Sequence, residues 1–582
     1  MNFQFAEVKA TDKFIPLYIF AGALLLFIPF LGSAHLFDWD EINFAECARE
    51  MVVTGNYSIV QIDFLPFWEK PPLFIWMQAA CMNVFGVNEF AARLPNAIGG
   101  ALTLAVIFIL GSRISGKRFA WWWVLFYAGS LLPHFYFRSG VIDPWFNLFI
   151  FLAIYHFVVY SNQYIPKTNP PFLDWRIIYS ALFLSLAILT KGPAAILIFG
   201  LCFLVFLAFK RKPIISTKHF LLYVGVTAIP AGIWFLSLVV QGKGIVILEF
   251  IEYQVRLLTT EDAGHGHNFF YHWFVLLIGC FPVSVIALQG FFKNGNLIPY
   301  EQHAVRWMRI LFWVVLILFS IVKTKIIHYS SLCYFPLAYL GAHAAIQLES
   351  GSFRSKRWVT YIFVAIGCII ASALFLVPFF DDMVPWMSGR GWVKDPFAEA
   401  SFRAGGGWYG WEWMIGLAMF ILVAYSAYCY HKTKIRKALY TMTIGGIAVI
   451  TLASLVIVPG VEQYTQNAAI EFWKSKAGKH VFVETLGYKS YAHYFYADVQ
   501  PDRTADSLFG MYISGKPEVK SNTLIPAEQF REWKREWMLS GNIDRPAYFV
   551  SKNTHEETVR ENHPELVKID EKNGFVFWER KP

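Results

Sequence analysis

Ionisable side chains are concentrated in residues 37–72, a stretch that lies between two apolar blocks. Asp40 and Glu41 come near its beginning, and Glu69 and Lys70 come near its end. Charged groups beside a membrane are costly to place, so those that occur there tend to serve a function. A carboxylate can act as a general base, and a lysine can hold a phosphate through charge-assisted hydrogen bonds. The stretch is therefore the first candidate for an active site.

Further ionisable residues are predicted to lie on the same, outer face of a membrane. They are Asp143, Lys191, Arg256, Glu261, Asp262, His265, His267, Lys323, Lys325, His328 and Tyr329. Basic residues on the outer face run against the positive-inside bias, so they require another explanation. An anionic ligand at this face, such as a phosphate held by Lys and Arg, provides one.

Several of these residues also fit a purely structural explanation. Asp38 and Glu41 match a capping box at the start of a helix that runs through Val52. Three more structural roles are a cap of the next crossing by Asp143, snorkelling of Lys191, and a helical pair between Arg256 and Glu252. The functional explanation is favoured because all of these residues converge on one face, which independent capping residues would not do.

The sequence does not predict a required metal site. His265 and His267 lie beside Glu261 and Asp262, but two histidines at i and i+2 in a glycine loop are weak grounds for a metal site. The seven cysteines occur singly and without a CxxC pair, which argues against a zinc ribbon or a disulfide scaffold. We predict that no cofactor is required, with a divalent metal at the histidines as the alternative.

Composition places the chain among polytopic membrane proteins. Of its 582 residues, 56% are hydrophobic and 16% are charged, and the mean hydropathy is +0.44. A soluble protein of this length carries more charge. The net charge of +9 does not indicate nucleic-acid binding, because the basic residues form short clusters between apolar runs. We expect membrane lipids, and not nucleic acid, as partners.

About thirteen apolar runs have the length of a membrane crossing. Their centres lie near residues 23, 104, 127, 151, 183, 201, 229, 280, 314, 338, 368, 420 and 448. The basic clusters at 113–118, 210–212, 354–357 and 432–437 then fall on one side, which the positive-inside rule makes cytoplasmic together with the N-terminus. An odd number of crossings puts the C-terminus outside. The apolar run 71–85 is short and follows two prolines, so we expect it to lie in the outer interface.

The last part of the chain, 461–582, differs from the rest in charge density and pattern. Short strand-like runs occur at 480–484 and 546–551, and Asn573-Gly574 is typical of a hairpin turn between 566–569 and 575–578. Residues 467–476 and 526–538 have the apolar spacing of helices. We predict a small extracytoplasmic α/β domain after a transmembrane domain of residues 1–460, whose outer first loop is 32–94.

Several motifs in this chain resemble those of the GT-C glycosyltransferases. The similarity is greatest to the subgroup that contains the lipid A aminoarabinose transferases and the bacterial protein mannosyltransferase-like enzymes. The motifs are Asp40-Glu41 with Phe44-Ala45-Glu46 and Ala48-Arg49-Glu50-Met51, Glu69-Lys70-Pro71-Pro72-Leu73, Ala92-Arg93-Leu94-Pro95, Leu189-Thr190-Lys191-Gly192-Pro193, and Lys325 with Tyr329 and Phe335-Pro336. The chain departs from the pattern at Asn43-Phe44, where members commonly have Arg-Tyr, and at His328, where an uncharged residue is common.

The resemblance implies a GT-C fold and roles for particular residues. It implies that Asp40 is the catalytic carboxylate, with Asp143 as a second acid and Glu41 beside them. It also implies that a carrier phosphate is bound by Lys70, with Arg256, Lys325 and Tyr329. The remaining cavity candidates are Glu69, Lys191, His265, His267 and His328.

The function implied is transfer of a sugar from polyprenyl phosphate (undecaprenyl phosphate) to lipid A or another envelope glycan. The expected location is the outer face of the bacterial inner (plasma) membrane, and the expected outcome is inversion. Transfer to protein Ser or Thr is the close alternative. A secondary transporter is the alternative from a different class, but it would show inverted repeats and interrupted helices at the membrane midplane.

Overall fold

The protein is described here by a computed structural model that covers residues 13–164, 171–210, 213–260, 267–292, 297–352, 356–520 and 525–582. Most of these residues are helical. The first helices are α1 (Ile15–Phe27), α2 (Asp40–Thr54), α3 (Leu73–Phe85), α4 (Glu89–Ser115), α5 (Lys117–Ala128), α6 (Leu131–Tyr136), α7 (Asp143–Gln163), α8 (Trp175–Lys191), α9 (Ala194–Lys210), α10 (Thr217–Val240), α11 (Ile245–Thr259), α12 (Tyr271–Gly279) and α13 (Val283–Phe292). A short two-stranded ribbon, β1 (Gln61–Ile62) and β2 (Leu65–Pro66), separates α2 from α3.

The second half continues with longer helices and ends in a sheet. Its helices are α14 (Pro299–Ile321), α15 (Tyr334–Glu349), α16 (Arg357–Leu376), α17 (Phe380–Gly389), α18 (Pro396–Phe402), α19 (Trp413–His431), α20 (Ile435–Glu462), α21 (Asn467–Lys474), α22 (Ala492–Tyr496), α23 (Arg503–Ile513), α24 (Pro517–Lys520), α25 (Ala527–Ser540) and α26 (Glu556–Asn562). The strands are β3 (Phe482–Leu486), β4 (Ala547–Lys552), β5 (Val567–Lys572) and β6 (Phe575–Arg580), and 3-10 turns lie at Ile327–Cys333, Val377–Phe379 and Asn553–His555.

Seven of the described helical segments are long and apolar enough to cross a membrane. The number rises to eight if α12 and α13, which meet at 113°, form one broken span. Twelve of the predicted centres fall within helices, and the centre at residue 280 falls at this bend. The polytopic helical class is confirmed. The count of thirteen crossings and the sides of the two termini stay predictions, as does the interfacial position of α3.

Close packing between α4 and α7 fixes where α7 begins. A Cβ added at Gly99 would lie 2.9 Å from Cε2 of Trp145, so only glycine allows this approach. The indole of Trp145 also donates to the carbonyl of Pro95, at 3.1 Å. These contacts position the first turn of α7, which carries Asp143, against α4.

The start of α2 differs from the predicted capping box. The N-cap position is occupied by Trp39 and has no side-chain cap. Glu41 reaches back instead to the backbone amide of Phe37, at 2.7 Å. The predicted capping role of Asp38 is therefore wrong, and α2 begins at Asp40.

The C-terminal sheet has the order β3-β4-β6-β5, in which β3 and β4 are parallel and the other pairs are antiparallel. The predicted hairpin is present, since Asn573 (φ 54°) and Gly574 (φ 81°) join β5 to β6 in left-handed backbone conformations. These conformations suit Asn-Gly and match the twist of a two-residue hairpin. Both predicted helices are also present, as α21 and α25.

The C-terminal segment shares its core with the first loop. Leu36, Ile42 and Phe67 belong to the same buried cluster as Tyr491 and Phe577. Hydrogen bonds across the same boundary join Leu36 N to the Tyr496 hydroxyl at 2.8 Å, and Arg49 Nη1 to the Val499 carbonyl at 2.7 Å. The first loop is therefore packed beneath the C-terminal sheet. The domain boundary at 460/461 stays a prediction.

Candidate functional site

Four elements bring the predicted acids and bases together. Asp40 and Asp143 lie in the first turns of α2 and α7, where a carboxylate is stabilised by the helix dipole. Lys191 lies in the last turn of α8, where a cation is stabilised in the same way. His328 lies on the 3-10 turn Ile327–Cys333. The helix ends therefore supply both the positions and part of the electrostatic stabilisation.

These four side chains form a continuous chain of polar contacts. His328 Nε2 lies 3.1 Å from Asp40 Oδ2 and 3.8 Å from Asp143 Oδ2. Lys191 Nζ donates to Asp143 Oδ1 at 2.7 Å. Asp143 is 2% exposed, whereas Asp40 is 19% exposed. Asp143 is thus enclosed, and Asp40 is the acid that can meet a substrate.

Asp40 is held in its ionised form. Burial raises its pKa, but the hydrogen bond and charge of His328 and the charges of Lys70 and Lys191 act in the opposite direction. Their combined effect is larger, so the pKa of Asp40 lies below its usual range. A carboxylate with these neighbours is charged at neutral pH and can accept a proton or orient a hydroxyl.

A second group of residues lies where the first loop meets α11. The hydroxyl of Tyr253 donates to Glu69 Oε2 at 3.1 Å. Lys70 Nζ and Arg256 Cζ each lie 5.2 Å from the Tyr253 ring, so two cations flank one aromatic residue. Burial, opposed in part by the charge of Lys70, raises the pKa of Glu69.

A cavity of about 130 Å³ joins the two groups. Lys70, Lys191 and Tyr329 line it, together with Gln254 and apolar side chains of α9 and α14. Lys191 Nζ lies 5.1 Å from the Tyr329 ring, which fixes the lysine at the cavity wall. Two ammonium groups facing one small cavity can bind an anion, and phosphate suits them well.

The geometry does not support the predicted catalytic role of Glu41. Both Glu41 oxygens accept from Arg93, with Nε and Nη2 each at 2.8 Å, and they also accept from the amides of Phe37 and Gly140. The side chain is 2% exposed. Because these contacts occupy both oxygens inside the protein, Glu41 fastens the first loop to α4 and to the segment before α7.

Of the predicted residues that the structure describes, only Lys70, Lys191 and Tyr329 line the cavity, and Lys325 and His267 are engaged elsewhere. Lys325 is 4% exposed, and its ammonium group donates to the Val322 carbonyl at 2.6 Å, so its predicted phosphate contact is not supported. His267 is exposed and stacks on Tyr271, with ring centroids 4.4 Å apart. His265 belongs to the stretch 261–266, which lies outside the described residues. Within the described ranges, no group of three or more His, Cys, Asp or Glu side chains is placed to hold a metal.

Ser331 and Asn147 belong to the site and were missed by sequence reasoning. Ser331 Oγ donates to Asp143 Oδ1 at 3.4 Å, and Asn147 Nδ2 donates to Ser331 Oγ at 2.8 Å. Ser331 follows His328 by three residues on a 3-10 turn, and residues at this spacing share one side of such a turn. Asn147 follows Asp143 by four residues on α7, which also places both on one helix face.

Known proteins are similar to this chain in sequence and in fold. Residues 69–235 match the family described as dolichyl-phosphate-mannose-protein mannosyltransferase. Undecaprenyl phosphate-alpha-4-amino-4-deoxy-L-arabinose arabinosyl transferases are also similar: the protein from Shewanella sediminis is 25% identical over 64% of this chain and 66% of its own length. The corresponding protein from Proteus mirabilis is 27% identical over 59% and 61%. The matches thus span slightly less than two thirds of these relatives.

Two solved structures have the same fold. ArnT from Cupriavidus metallidurans bound to undecaprenyl phosphate superposes with a TM-score of 0.71 over 97% of both chains, at 18% identity. An oligosaccharyltransferase from Archaeoglobus fulgidus superposes with a TM-score of 0.50 over 94% of this chain and 70% of its own, at 12% identity. The resemblance predicted from the motifs is confirmed: this chain has the fold of these two structures, and its sequence is similar to transferases named for an undecaprenyl phosphate-linked sugar.

Proposed function

We propose that this protein is a membrane glycosyltransferase that moves a sugar from a polyprenyl phosphate to an acceptor. The observation that carries the proposal is the chain of contacts from Asp40 through His328 and Asp143 to Lys191, which lines one cavity together with Lys70. The similarity to transferases named for undecaprenyl phosphate-linked aminoarabinose supports this donor. The proposed acceptor is lipid A or another envelope glycan. The proposed location is the outer face of the bacterial inner membrane.

The cavity provides the contacts that a leaving phosphate needs. As the bond from the anomeric carbon to the phosphate oxygen breaks, negative charge grows on that oxygen. Lys70 and Lys191 line the cavity from the first loop and from the end of α8, and Tyr329 lies beside Lys191. Preorganised cations stabilise such charge without reorganisation during the reaction. Arg256, which shares the Tyr253 ring with Lys70, is proposed as an additional phosphate contact.

An apolar groove extends from the cavity and suits the polyprenyl chain. The groove measures about 650 Å³ and lies between α9 and α14, with Val205, Phe209 and Ile317 among its walls. Leu318 lines both the groove and the phosphate cavity, so the two spaces adjoin. An isoprenoid tail in the groove would therefore place its phosphate beside the lysines.

The transfer step follows from these positions. The acceptor oxygen bonds to the anomeric carbon while the bond to the carrier phosphate breaks, and the phosphate leaves with the bonding electrons. Where the acceptor is a hydroxyl, Asp40 takes its proton. Where the acceptor is itself a phosphate, Asp40 orients it through His328. One in-line displacement inverts the anomeric centre.

The test uses Asp40→Asn and Lys70→Ala variants in membranes supplied with a labelled polyprenyl-phosphate sugar. Both variants should lose transfer, while Lys210→Ala, at the far end of α9 from Lys191, should keep it. Undiminished transfer by both site variants would remove the proposal.

Transfer to protein Ser or Thr is a second candidate, and the match of residues 69–235 to the protein mannosyltransferase family favours it. The two candidates differ in where the sugar is found. Mass spectrometry of lipid A, envelope glycans and proteins from a deletion strain would reveal which component loses a sugar.

A further inference from the structure

A second cavity lies where the C-terminal sheet meets the first loop, and the transfer step proposed above does not use it. It measures about 290 Å³. Its wall is formed mainly by the segment that connects β3 to α22 and by α25, and includes Glu484, Tyr488, Lys489, Tyr491, His493, Arg531 and Arg535. We refer to it as the sheet cavity.

Buried donors in the sheet cavity lack partners in the part of the chain that the structure describes. Both ring nitrogens of His493, which is 1% exposed, have no hydrogen-bond partner. The Nε of Arg531, which is 8% exposed, also has none, although its Nη2 donates to the carbonyl of Ile62 at 3.2 Å. Leaving such groups unpaired is costly. Acceptor oxygens of a ligand would satisfy the Arg531 Nε and the ring nitrogen of His493 that carries a proton, and a ligand hydroxyl would satisfy the other ring nitrogen.

The nearest carboxylate is already engaged. Glu484 Oε1 accepts from the amide of Thr485 at 2.8 Å, and Glu484 Oε2 accepts from the Tyr494 hydroxyl at 3.3 Å. His493 Nε2 lies 3.5 Å from Glu484 Oε1, outside normal hydrogen-bond geometry. Arg535 Nη2 lies 3.6 Å from the same oxygen and its Nε has no partner among the described residues. The cationic side of the cavity thus retains unused donors.

Lys489 lies at the rim of the cavity, in an exposed ion pair with Glu528. Lys489 Nζ lies 3.3 Å from Glu528, and these side chains are 49% and 52% exposed. Exposed ion pairs of this kind contribute little stability. Lys489 can therefore exchange Glu528 for a ligand phosphate at small cost. The rings of Tyr488 and Tyr491 add flat surfaces on which a sugar can pack.

The sheet cavity adjoins the catalytic loop. Lys489 Nζ lies 5.2 Å from the Trp39 ring, and the Trp39 and Tyr491 rings are 5.2 Å apart. Trp39 directly precedes Asp40. A ligand held by Lys489 would therefore be close to Asp40, on the side of the loop covered by the C-terminal sheet.

We propose that the sheet cavity binds the phosphorylated sugar headgroup of the acceptor. Lys489 and Arg535 bind the phosphate, and Tyr491 packs against the sugar ring. The inference rests on the proposed function, since an acceptor exists only if the chain is a transferase. It assigns the C-terminal segment the task of presenting the acceptor to Asp40.

The experiment measures binding of glucosamine 1-phosphate to the full chain in lipid nanodiscs by titration calorimetry. Wild type should bind it, and Lys489→Ala and Arg535→Gln should each weaken binding about tenfold, the expected effect of losing one charge-assisted hydrogen bond. The control is Lys572→Ala, which removes an exposed lysine of the same sheet and should change nothing. Equal binding by all four proteins, or no binding by wild type, would overturn the assignment.

Two comparison ligands separate the possible sources of the phosphate chemistry. Glucosamine should bind much more weakly than its 1-phosphate, and so should inorganic phosphate. Inorganic phosphate that binds as tightly as glucosamine 1-phosphate would overturn the assignment of a sugar headgroup.

A separate measurement of undecaprenyl phosphate binding tests the proposed donor independently of the sheet cavity. Capture of undecaprenyl phosphate by the same nanodiscs should be lost in Lys70→Ala and kept in Lys489→Ala. If wild type does not capture undecaprenyl phosphate, the proposed donor is wrong, whereas the sheet cavity is judged only on the glucosamine 1-phosphate titrations.

Discussion

Asp40 and Glu41 are neighbours in the sequence and belong to two clusters that differ in how fully their hydrogen bonds are satisfied. Arg93 donates two hydrogen bonds of 2.8 Å to Glu41 in a buried pair. Asp40 instead lies 3.1 Å from His328 and remains 19% exposed. The first cluster is closed and structural, whereas the second retains capacity for a ligand. A charged side chain in a loop beside the membrane therefore indicates a functional site only where the protein's own hydrogen bonds do not already occupy its polar atoms.

The largest effect on transfer is expected for Asp40→Asn. Because a positioned base or orienting carboxylate contributes roughly a thousandfold to rate, transfer should fall by about 10³. The thermal unfolding midpoint in detergent should fall much less than after loss of one partner of the Glu41–Arg93 pair, since Asp40 is not part of a closed pair. Steady-state transfer of a labelled sugar and a melting curve on the same preparation measure both quantities. A large drop in the midpoint would place Asp40 in the structural cluster.

The opposite result is expected for Arg93→Ala. Removing one partner of a buried ion pair leaves the other charge uncompensated and costs about 3–5 kcal/mol in free energy of unfolding. Denaturation of the purified protein should show this loss, while the fraction that remains folded should still bind undecaprenyl phosphate. The double variant Glu41→Gln/Arg93→Met should recover part of the stability. Normal stability in Arg93→Ala would contradict the closed-pair assignment.

A smaller effect is expected for Lys70→Met. The variant removes one ammonium group from the cavity wall and should weaken binding of undecaprenyl phosphate about tenfold to a hundredfold. Stability should fall less than in Arg93→Ala, because Lys70 lies against the Tyr253 ring while Asp40 and Glu69 keep their contacts with His328 and Tyr253. Lys210→Met serves as the matched control. Unaltered affinity in Lys70→Met would remove this lysine from the phosphate site.

The smallest effect is a shift in pH dependence in His328→Gln. Burial raises the pKa of Asp40, and His328 is the first of the neighbours that lower it. Removal of His328 should raise the pKa of Asp40, so the acid limb of the rate profile should move to higher pH by about one unit. The stability that Asp40 contributes is present above its ordinary pKa of 3.8 and is lost as pH falls through the lower folded value. An acid limb that does not move would exclude this coupling.

Local pattern predicted much of the fold. The apolar runs marked the helices, since each predicted centre lies in a helix or at the α12–α13 bend. Asn573-Gly574 marked a real hairpin, because its left-handed conformations are a local requirement of the turn. These features depend on residues close together in the chain, so one sequence is enough to find them.

The site was only partly predictable, because the partners that pair with a charged side chain can come from distant parts of the sequence. Asp40, Asp143, Lys191 and His328 were named from the sequence and lie together. Glu41 was named for the same reasons, yet its partner is 52 residues away. Lys325 likewise satisfies its charge on a nearby carbonyl. No spacing rule distinguishes a free carboxylate from one whose partners arrive from another helix.

The hydrogen bond from Leu36 to Tyr496 has a consequence for biogenesis. Its partners are 460 residues apart, so the first loop completes its core only after nearly the whole chain has been made. At ordinary translation speeds this interval is on the order of half a minute. During that time the apolar residues of the first loop are exposed at the membrane surface, where a holding chaperone could bind them. A ribosome stalled before residue 496 would therefore leave a membrane protein with inserted helices but an unfinished first loop.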